Sequence, residues 1–372
     1  MLSSLIFKLT CFILMWPMLF SVPVLYANAA PDRQVDQSLT MMTMGLLTAI
    51  LAWFCLGYPL IYDNGHIGSF WSSLLKAEPD LLADMCLQGA FFIYAAIMFM
   101  GTLNGRVAWP YFVVFTPLWL VLVYSPLAYL LWTDQGILNA MGALDFSGGL
   151  VVHLSAGLTS LILARRYHDR SPDLGNRPSD LIPNYMASFL IAFGWFGFNL
   201  GPLGDFSQQA PLIISNTVIA VLSASLGQVI YHYKHLKSRH LMTGMMVGLV
   251  TSTAGVAFLP LWAMLILAMV SGYLIAWALD RWSIHDPVDS FIINGLGGLI
   301  GATGLIFLAA PQLTPNHETG LFFAFKPDFI WAQVLALGLT MLITWLGTHL
   351  TLYLCQLIPF SHKGGTFSCK NH

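Results

Sequence analysis

Ten times along this chain a stretch of roughly twenty residues passes with hardly a charge in it. At 1.5 Å per residue such a stretch crosses the ~30 Å hydrocarbon layer of a bilayer as a helix. The runs cover approximately 41–62, 84–103, 110–132, 144–165, 183–203, 211–234, 241–259, 260–280, 290–310 and 328–359, and an eleventh, Leu5 to Tyr26, precedes them. In lipid every backbone N–H and C=O has to be satisfied within the protein, which leaves a helical bundle as the architecture for segments of this kind. Composition agrees, at 57% hydrophobic and 9% charged residues, with a mean hydropathy of +0.72, where soluble domains carry about 25% charged residues. The expected fold is an all-α polytopic membrane protein with about eleven transmembrane helices, or ten if the first run is removed. A net charge of −2 with no basic, aromatic-rich tract gives no footing for nucleic acid. The cysteines, Cys11, Cys55, Cys86, Cys355 and Cys369, are scattered and form neither a disulfide framework nor a metal spacing. No nucleophile–base pair or ligand set stands at membrane depth, so no enzyme, metal or cofactor is expected.

Charge fixes the orientation. Eleven of the fifteen basic residues fall on alternate connections: Arg106, then Arg165, Arg166, Arg170 and Arg177, then Lys234, Lys237 and Arg239, then Arg281, then Lys363 and Lys370. The positive-inside rule places these in the cytoplasm, and the C-terminus with them. The first run conflicts with one reading of itself. Followed by Ala27-Asn28-Ala29-Ala30, it resembles a secretory signal peptide. Cleavage there would leave residue 31 outside, whereas the Arg106 parity requires residues 31–40 inside. The charge pattern favours retention as a first helix. The expected division is residues 1–30 as signal-like run or substitute first helix, 31–360 as membrane domain and 361–372 as a short cytoplasmic tail.

Within this frame one run is unlike a plain anchor. Asp145 to Arg166 reads DFSGGLVVHLSAGLTSLILARR, with His153 well inside the span and small residues throughout. Small residues let backbones approach, so this helix packs on protein. An ionisable residue at that depth points to a pathway, with a neutral, satisfied histidine as the plainer reading. A second segment echoes it. Asp145 is followed eight residues on by His153 and then Gly157-Leu158, and Asp286 is followed eight residues on by Asn294 and then Gly298-Leu299. Paired polar residues at equal depth in two repeats are how many transporters build a central site. GWFGFN, Gly194 to Asn199, reads as a close-packed or kinked helix facing protein. Phe91, Trp132 and Phe198 are by themselves ordinary core or interfacial aromatics. Asp286 and Asp289 read as helix N-terminal carboxylates, and His232, His235 and His240 as part of a basic loop.

Taken together, DFSGGLVVHLSAG, GWFGFN and DPVDSFIINGLGG, with LQGAFF, the run to Trp132 and Trp53…Gly57-Tyr58 at the expected intervals, resemble the ammonium transporters, relatives of the Rhesus proteins. The resemblance covers roughly residues 41–310. It implies two inverted five-helix repeats plus a final long helix, a narrow apolar pore in each protomer and a homotrimer in the lipid bilayer, in a bacterial inner (plasma) membrane. It also assigns roles. Trp132 is the outer tryptophan that recruits ammonium, Phe91 and Phe198 are stacked rings closing the outer end of the pore, His153 is the first of two pore histidines, and Asp145 supports the recruitment site and the local fold. Four departures accompany it. The family's first helix is not recognisable, so run 5–26 must substitute for it or nothing does. Asn294 stands where the family has its second pore histidine, Pro202 in GFNLGP stands where many members have a recruitment-site serine, and the tail after Pro359 is short, which argues against a regulatory P-II-type partner. The expected function is transport of ammonium or ammonia with outer recruitment and deprotonation. The alternatives are a non-conducting sensing or accessory relative and a channel for another small solute.

Overall fold

The structure, a computed structural model, describes residues 2–28, 35–63, 65, 78–168 and 180–358. Among these the architecture is helical: α1 (Leu2–Asn28), α2 (Val35–Tyr62), α3 (Pro79–Thr102), α4 (110–132), α5 (149–166), α6 (Leu181–Leu203), α7 (Ala210–Tyr231), α8 (Ser238–Ser252), α9 (Leu261–Arg281), α10 (Phe291–Leu308) and α11 (Pro327–Gln356). Nine helices among the described residues are long and apolar enough to cross a membrane. The other two are α5, which carries His153 and ends on Arg165 and Arg166, and α8, with fifteen residues.

The first run takes a full place in the bundle. α1 lies antiparallel along α6, and glycine makes the approach possible: a Cβ on Gly197 would stand 2.4 Å from the carbonyl oxygen of Cys11, and one on Gly194 would stand 2.5 Å from Cβ of Met18. The glycines of GWFGFN therefore face α1. Polar contacts fix both ends of α1. Lys8 Nζ pairs with Asp80 at 2.8 Å and with Asp84 at 3.8 Å, and Ser4 donates to Asp80 at 2.9 Å. At the far end Asn28 donates to Asn184 at 2.9 Å, and Asn104 donates to the Tyr26 carbonyl at 2.8 Å. The Ala29-Ala30 part of the cleavage-like motif and the tail 361–372 lie outside the described residues.

Two apolar runs are helical over less than their length. The run beginning at 144 is a turn until Gly149, and α8 stops at Ser252, leaving a buried non-helical segment before α9. These stretches satisfy each other: Phe146 N–H donates to the Ala254 carbonyl at 3.1 Å and Ser147 N–H to the Thr253 carbonyl at 2.8 Å. Irregular backbone at such depth is tolerable only where protein supplies these partners. Apolarity alone does not distinguish it from helix. Conversely, α3 begins five residues ahead of the expected start, with Pro79 in its first turn, where a missing N–H costs nothing.

α5 and α10 cross at the centre, and the sequence echo between them is a physical exchange. Gly157 takes its place against α10, where a Cβ would stand 2.2 Å from the Gly295 nitrogen. Gly298 does the reverse: a Cβ there would stand 2.4 Å from the Gly149 carbonyl and 3.1 Å from Cβ of His153. Each glycine lies one turn beyond the polar residue of its own segment, so the close crossing brings His153 and Asn294 together.

Candidate functional site

The two central helices open alike. Asp145 accepts from Leu150 N–H and Val151 N–H, both at 3.0 Å. Asp286 accepts from Phe291 N–H at 3.2 Å, Val288 N–H at 3.3 Å and the Thr102 hydroxyl at 3.1 Å. Each carboxylate serves the donor five residues on, at the positive end of the helix it precedes. Burial pushes the Asp286 carboxyl above the ordinary carboxylate range, while the Phe291 and Val288 N–H groups, Thr102 and the Arg106 cation pull it back. Arg106, itself buried, donates to the His285 carbonyl in the same corner. Each helix then begins with a π-helical stretch, Gly149–Leu154 in α5 and Phe291–Leu296 in α10. Such wide turns cluster at functional positions because they re-aim side chains. His153 and Asn294 sit on these turns.

Starting from the end of α4, the residues form one column. Trp132 ends α4, and its indole N–H donates to the Asp145 backbone carbonyl at 2.8 Å. Asp145 thus orients the indole through its carbonyl while its carboxylate caps α5. Phe91 meets Trp132 edge-on, with ring centres 5.8 Å apart and planes at 70°. Phe91 and Phe198 are in contact at 4.5 Å; their planes meet at 49°, so the pair is tilted rather than face to face. Behind Phe198 lie Trp195 at 5.1 Å and the His153 ring at 5.9 Å. Trp195 stacks on His153 at 5.4 Å and 18°. His153 Nδ1 is 3.1 Å from Asn294 Oδ1. Phe91, Phe198 and His153 are at most 2% exposed, and Asn294 is 7% exposed.

Pro202 stands in a short turn, Gly201–Leu203, at the end of α6. Its neighbour Gly201 abuts Leu87 and Phe91, where a Cβ would stand 3.1 Å and 3.5 Å from their side chains. The segment carrying Pro202 therefore borders the Phe91 end of the column, and its proline ring brings no hydroxyl. An open groove of about 430 Å³ lined by Leu60, Gly65, Val121, Ser125, Pro126 and Tyr129 shares no residue with the column.

Two ring residues of the column carry no signal as isolated motifs. Tyr94, with ring centres 6.1 Å from His153 and 5.6 Å from Phe198, follows Phe91 by three residues on α3. Trp195 precedes Phe198 by three on α6. Helical spacing from the named phenylalanines would have found both. Among the described residues, two nitrogens in this group, His153 Nε2 and Trp195 Nε1, are buried without a hydrogen-bond partner. A buried polar atom left unpaired costs roughly 1–3 kcal/mol, and these two lie on rings that stack on each other.

The profile of the Ammonium Transporter Family matches residues 6–362. An ammonium transporter of Bacillus subtilis (strain 168) is 26% identical over 371 residues, with 95% of this chain and 91% of that protein covered. Ammonium transporter Amt1 of Archaeoglobus fulgidus is 28% identical over 328 residues, with coverage of 85% and 82%. Among solved structures, Saccharomyces cerevisiae Mep2 has the same fold at a TM-score of 0.85 and 24% identity, over 96% of this chain and 89% of that one. A structure described as a sensor Amt protein matches at 0.83 and 20% identity, over 95% and 93%. The structural likeness establishes the fold, and the profile, running from the first helix to beyond the last, establishes the relationship. The chain belongs to the ammonium transporter family.

Proposed function

We propose that this protein carries ammonium across the membrane, with nitrogen crossing as ammonia along the column from Trp132 past Phe91 and Phe198 to His153 and Asn294. The observation that carries the reading is the order of groups in that column. An aromatic face comes first, then two rings in contact, then a pair of unpaired nitrogens beside an imidazole–amide hydrogen bond. A cation resting on the indole face gains up to about 2 kcal/mol when desolvated. Entering the apolar segment as an ion would cost many times that, of order tens of kcal/mol in the Born limit. Ammonium escapes this cost by leaving its proton behind, and potassium and sodium have no proton to leave. Beyond the rings, the Trp195 N–H can donate to the ammonia lone pair and the imidazole can accept an ammonia N–H. Asn294 retains donor and acceptor but does not titrate, so a proton relay between two imidazoles is interrupted and transport is slow or largely electroneutral. Pro202 leaves recruitment to the indole without a hydroxyl. Asp145 holds that indole in place.

The same reading retains α1 as the first helix, places the C-terminus in the cytoplasm of a bacterial inner membrane and assembles the protomers as a homotrimer with one path each. Uptake of labelled methylammonium and of potassium into proteoliposomes of the purified protein tests the proposal. Saturable methylammonium uptake that ammonium competes away, with potassium uptake no greater than in empty vesicles, supports it. Ammonium binding without flux would make the chain a non-conducting relative, and potassium uptake would make it a less selective channel.

A further inference from the structure

Asn294 does not meet His153 alone. Its Nδ2 donates to Ser290 Oγ at 3.4 Å, and the Ser160 hydroxyl donates to the same oxygen at 3.0 Å. Its Oδ1 is the atom facing His153 Nδ1 at 3.1 Å. Ser160, Ser290 and His153 are fully buried. The spacing makes the arrangement possible: Ser290 lies one turn before Asn294 on α10, and Ser160 lies two turns after His153 on α5. The two helices are thus bridged twice, once by hydroxyls and once by amide and imidazole.

The chemistry of the amide gives this rail a direction. Its two ends are unlike, one donating only and the other accepting only. In the arrangement seen, the NH2 end donates to Ser290 Oγ, which also accepts from Ser160, and the carbonyl end faces the imidazole. A carbonyl cannot donate, so His153 can make its bond only with a proton on Nδ1. The other tautomer would set two lone pairs against each other in a dry site, where an unmade bond is costly. Nε2 then carries a lone pair, and among the described residues it has no hydrogen-bond partner.

We propose that Ser160 and Ser290 are positioning residues that hold the Asn294 amide in one orientation and thereby fix His153 as its Nδ1–H tautomer, with Nε2 a permanent acceptor for the molecule in the path. A partner that titrates could exchange protons with His153 and renew either tautomer; an amide cannot, so the hydroxyl pair sets the choice. A fixed acceptor on the ring that stacks on Trp195, whose N–H is a fixed donor, suits a ligand with both N–H groups and a lone pair. Ammonia is such a ligand and a bare metal cation is not. This consequence for specificity rests on the transport reading, whereas the tautomer assignment does not.

Solid-state 15N NMR of histidine-labelled protein in lipid tests the assignment, with the His153 signals identified by their loss in His153→Gln. Without substrate, His153 should show a protonated Nδ1 and an unprotonated Nε2. Ser290→Ala should mix the two tautomers and lower ammonium flux about three- to tenfold, the factor expected for one lost buried hydrogen bond. Ser290→Thr, which keeps the hydroxyl, should restore both. Ser160→Ala leaves α10 unchanged and should mix the tautomers as well. A wild-type Nε2–H or mixed tautomer would overturn the proposal, as would a tautomer that neither alanine variant alters. If no variant transports ammonium, yet the wild type shows the single tautomer that Ser290→Ala scrambles, the transport reading fails and the positioning role stands.

Discussion

At the scale of single residues, the column works by geometry set elsewhere. Trp132 is useful for its orientation, and that orientation comes from a hydrogen bond to the Asp145 carbonyl. Trp132→Leu removes the face on which the proposed reading rests a cation, at a loss of about 1–2 kcal/mol in binding. Uptake should therefore fall most at low ammonium and recover toward saturation. An equal loss at every concentration would assign the indole a packing role. His153 and Asn294 stand out in the sequence as polar residues inside apolar runs, whereas Trp132, Phe91 and Phe198 are ordinary aromatics there and are singled out only by the family resemblance. Tyr94 and Trp195 were not singled out, although Trp195 lies inside GWFGFN, since an aromatic residue in an apolar helix is ordinary until a neighbour three positions away is known to matter. The Ser160–Ser290 contact was out of reach, because it joins residues 130 apart in sequence.

At the scale of elements, the decisive feature is how closely α5 and α10 cross. Gly298→Ala would place a methyl group 2.4 Å from the Gly149 carbonyl, and Gly157→Ala would place one 2.2 Å from the Gly295 nitrogen. Neither backbone neighbour can move as a flexible side chain would. Each substitution should destabilise the protein by about 1–3 kcal/mol and lengthen the His153–Asn294 hydrogen bond. Thermal unfolding in detergent together with flux in liposomes measures both effects. Gly204→Ala, where a Cβ meets nothing within 4 Å but the left-handed backbone (φ 69°) resists a side chain, is the comparison for local strain without helix separation. If the crossing variants melt no earlier than this one, the close approach is not what holds the pair together. The existence of both helices was legible from length and apolarity. The start of α10 was legible to within a residue, whereas that of α5 was not, because the capping carboxylate and buried turn ahead of it lie in an equally apolar run.

At the scale of the whole molecule, the fold follows from charge and hydropathy with little ambiguity, and the first helix is where two signals competed. A short apolar run ending near Ala-Asn-Ala-Ala looks removable, whereas the Lys8 pairing and the glycine contacts with α6 look permanent. Lys8 is largely shielded while Asp80 is about a third exposed, so Lys8→Met should cost no more than about 1 kcal/mol and should leave α1 in place. Retention itself is tested by topology. In a background without the native cysteines, Val35→Cys should resist an impermeant reagent applied to the outside of cells and react once the membrane is opened. Labelling from outside, or a purified protein whose N-terminus lies near residue 31, would show that the run is removed.

The central claim is that ammonia passes His153 and Asn294 while its proton does not readily follow. It is tested most directly by recording internal pH and membrane current together when proteoliposomes meet an inward ammonium gradient. The account predicts internal alkalinisation faster than in empty vesicles, with little current. It predicts added current in Asn294→His and a loss of the faster alkalinisation in His153→Ala. Alkalinisation no faster than in empty vesicles, or a pH and current response that neither substitution changes, would contradict it.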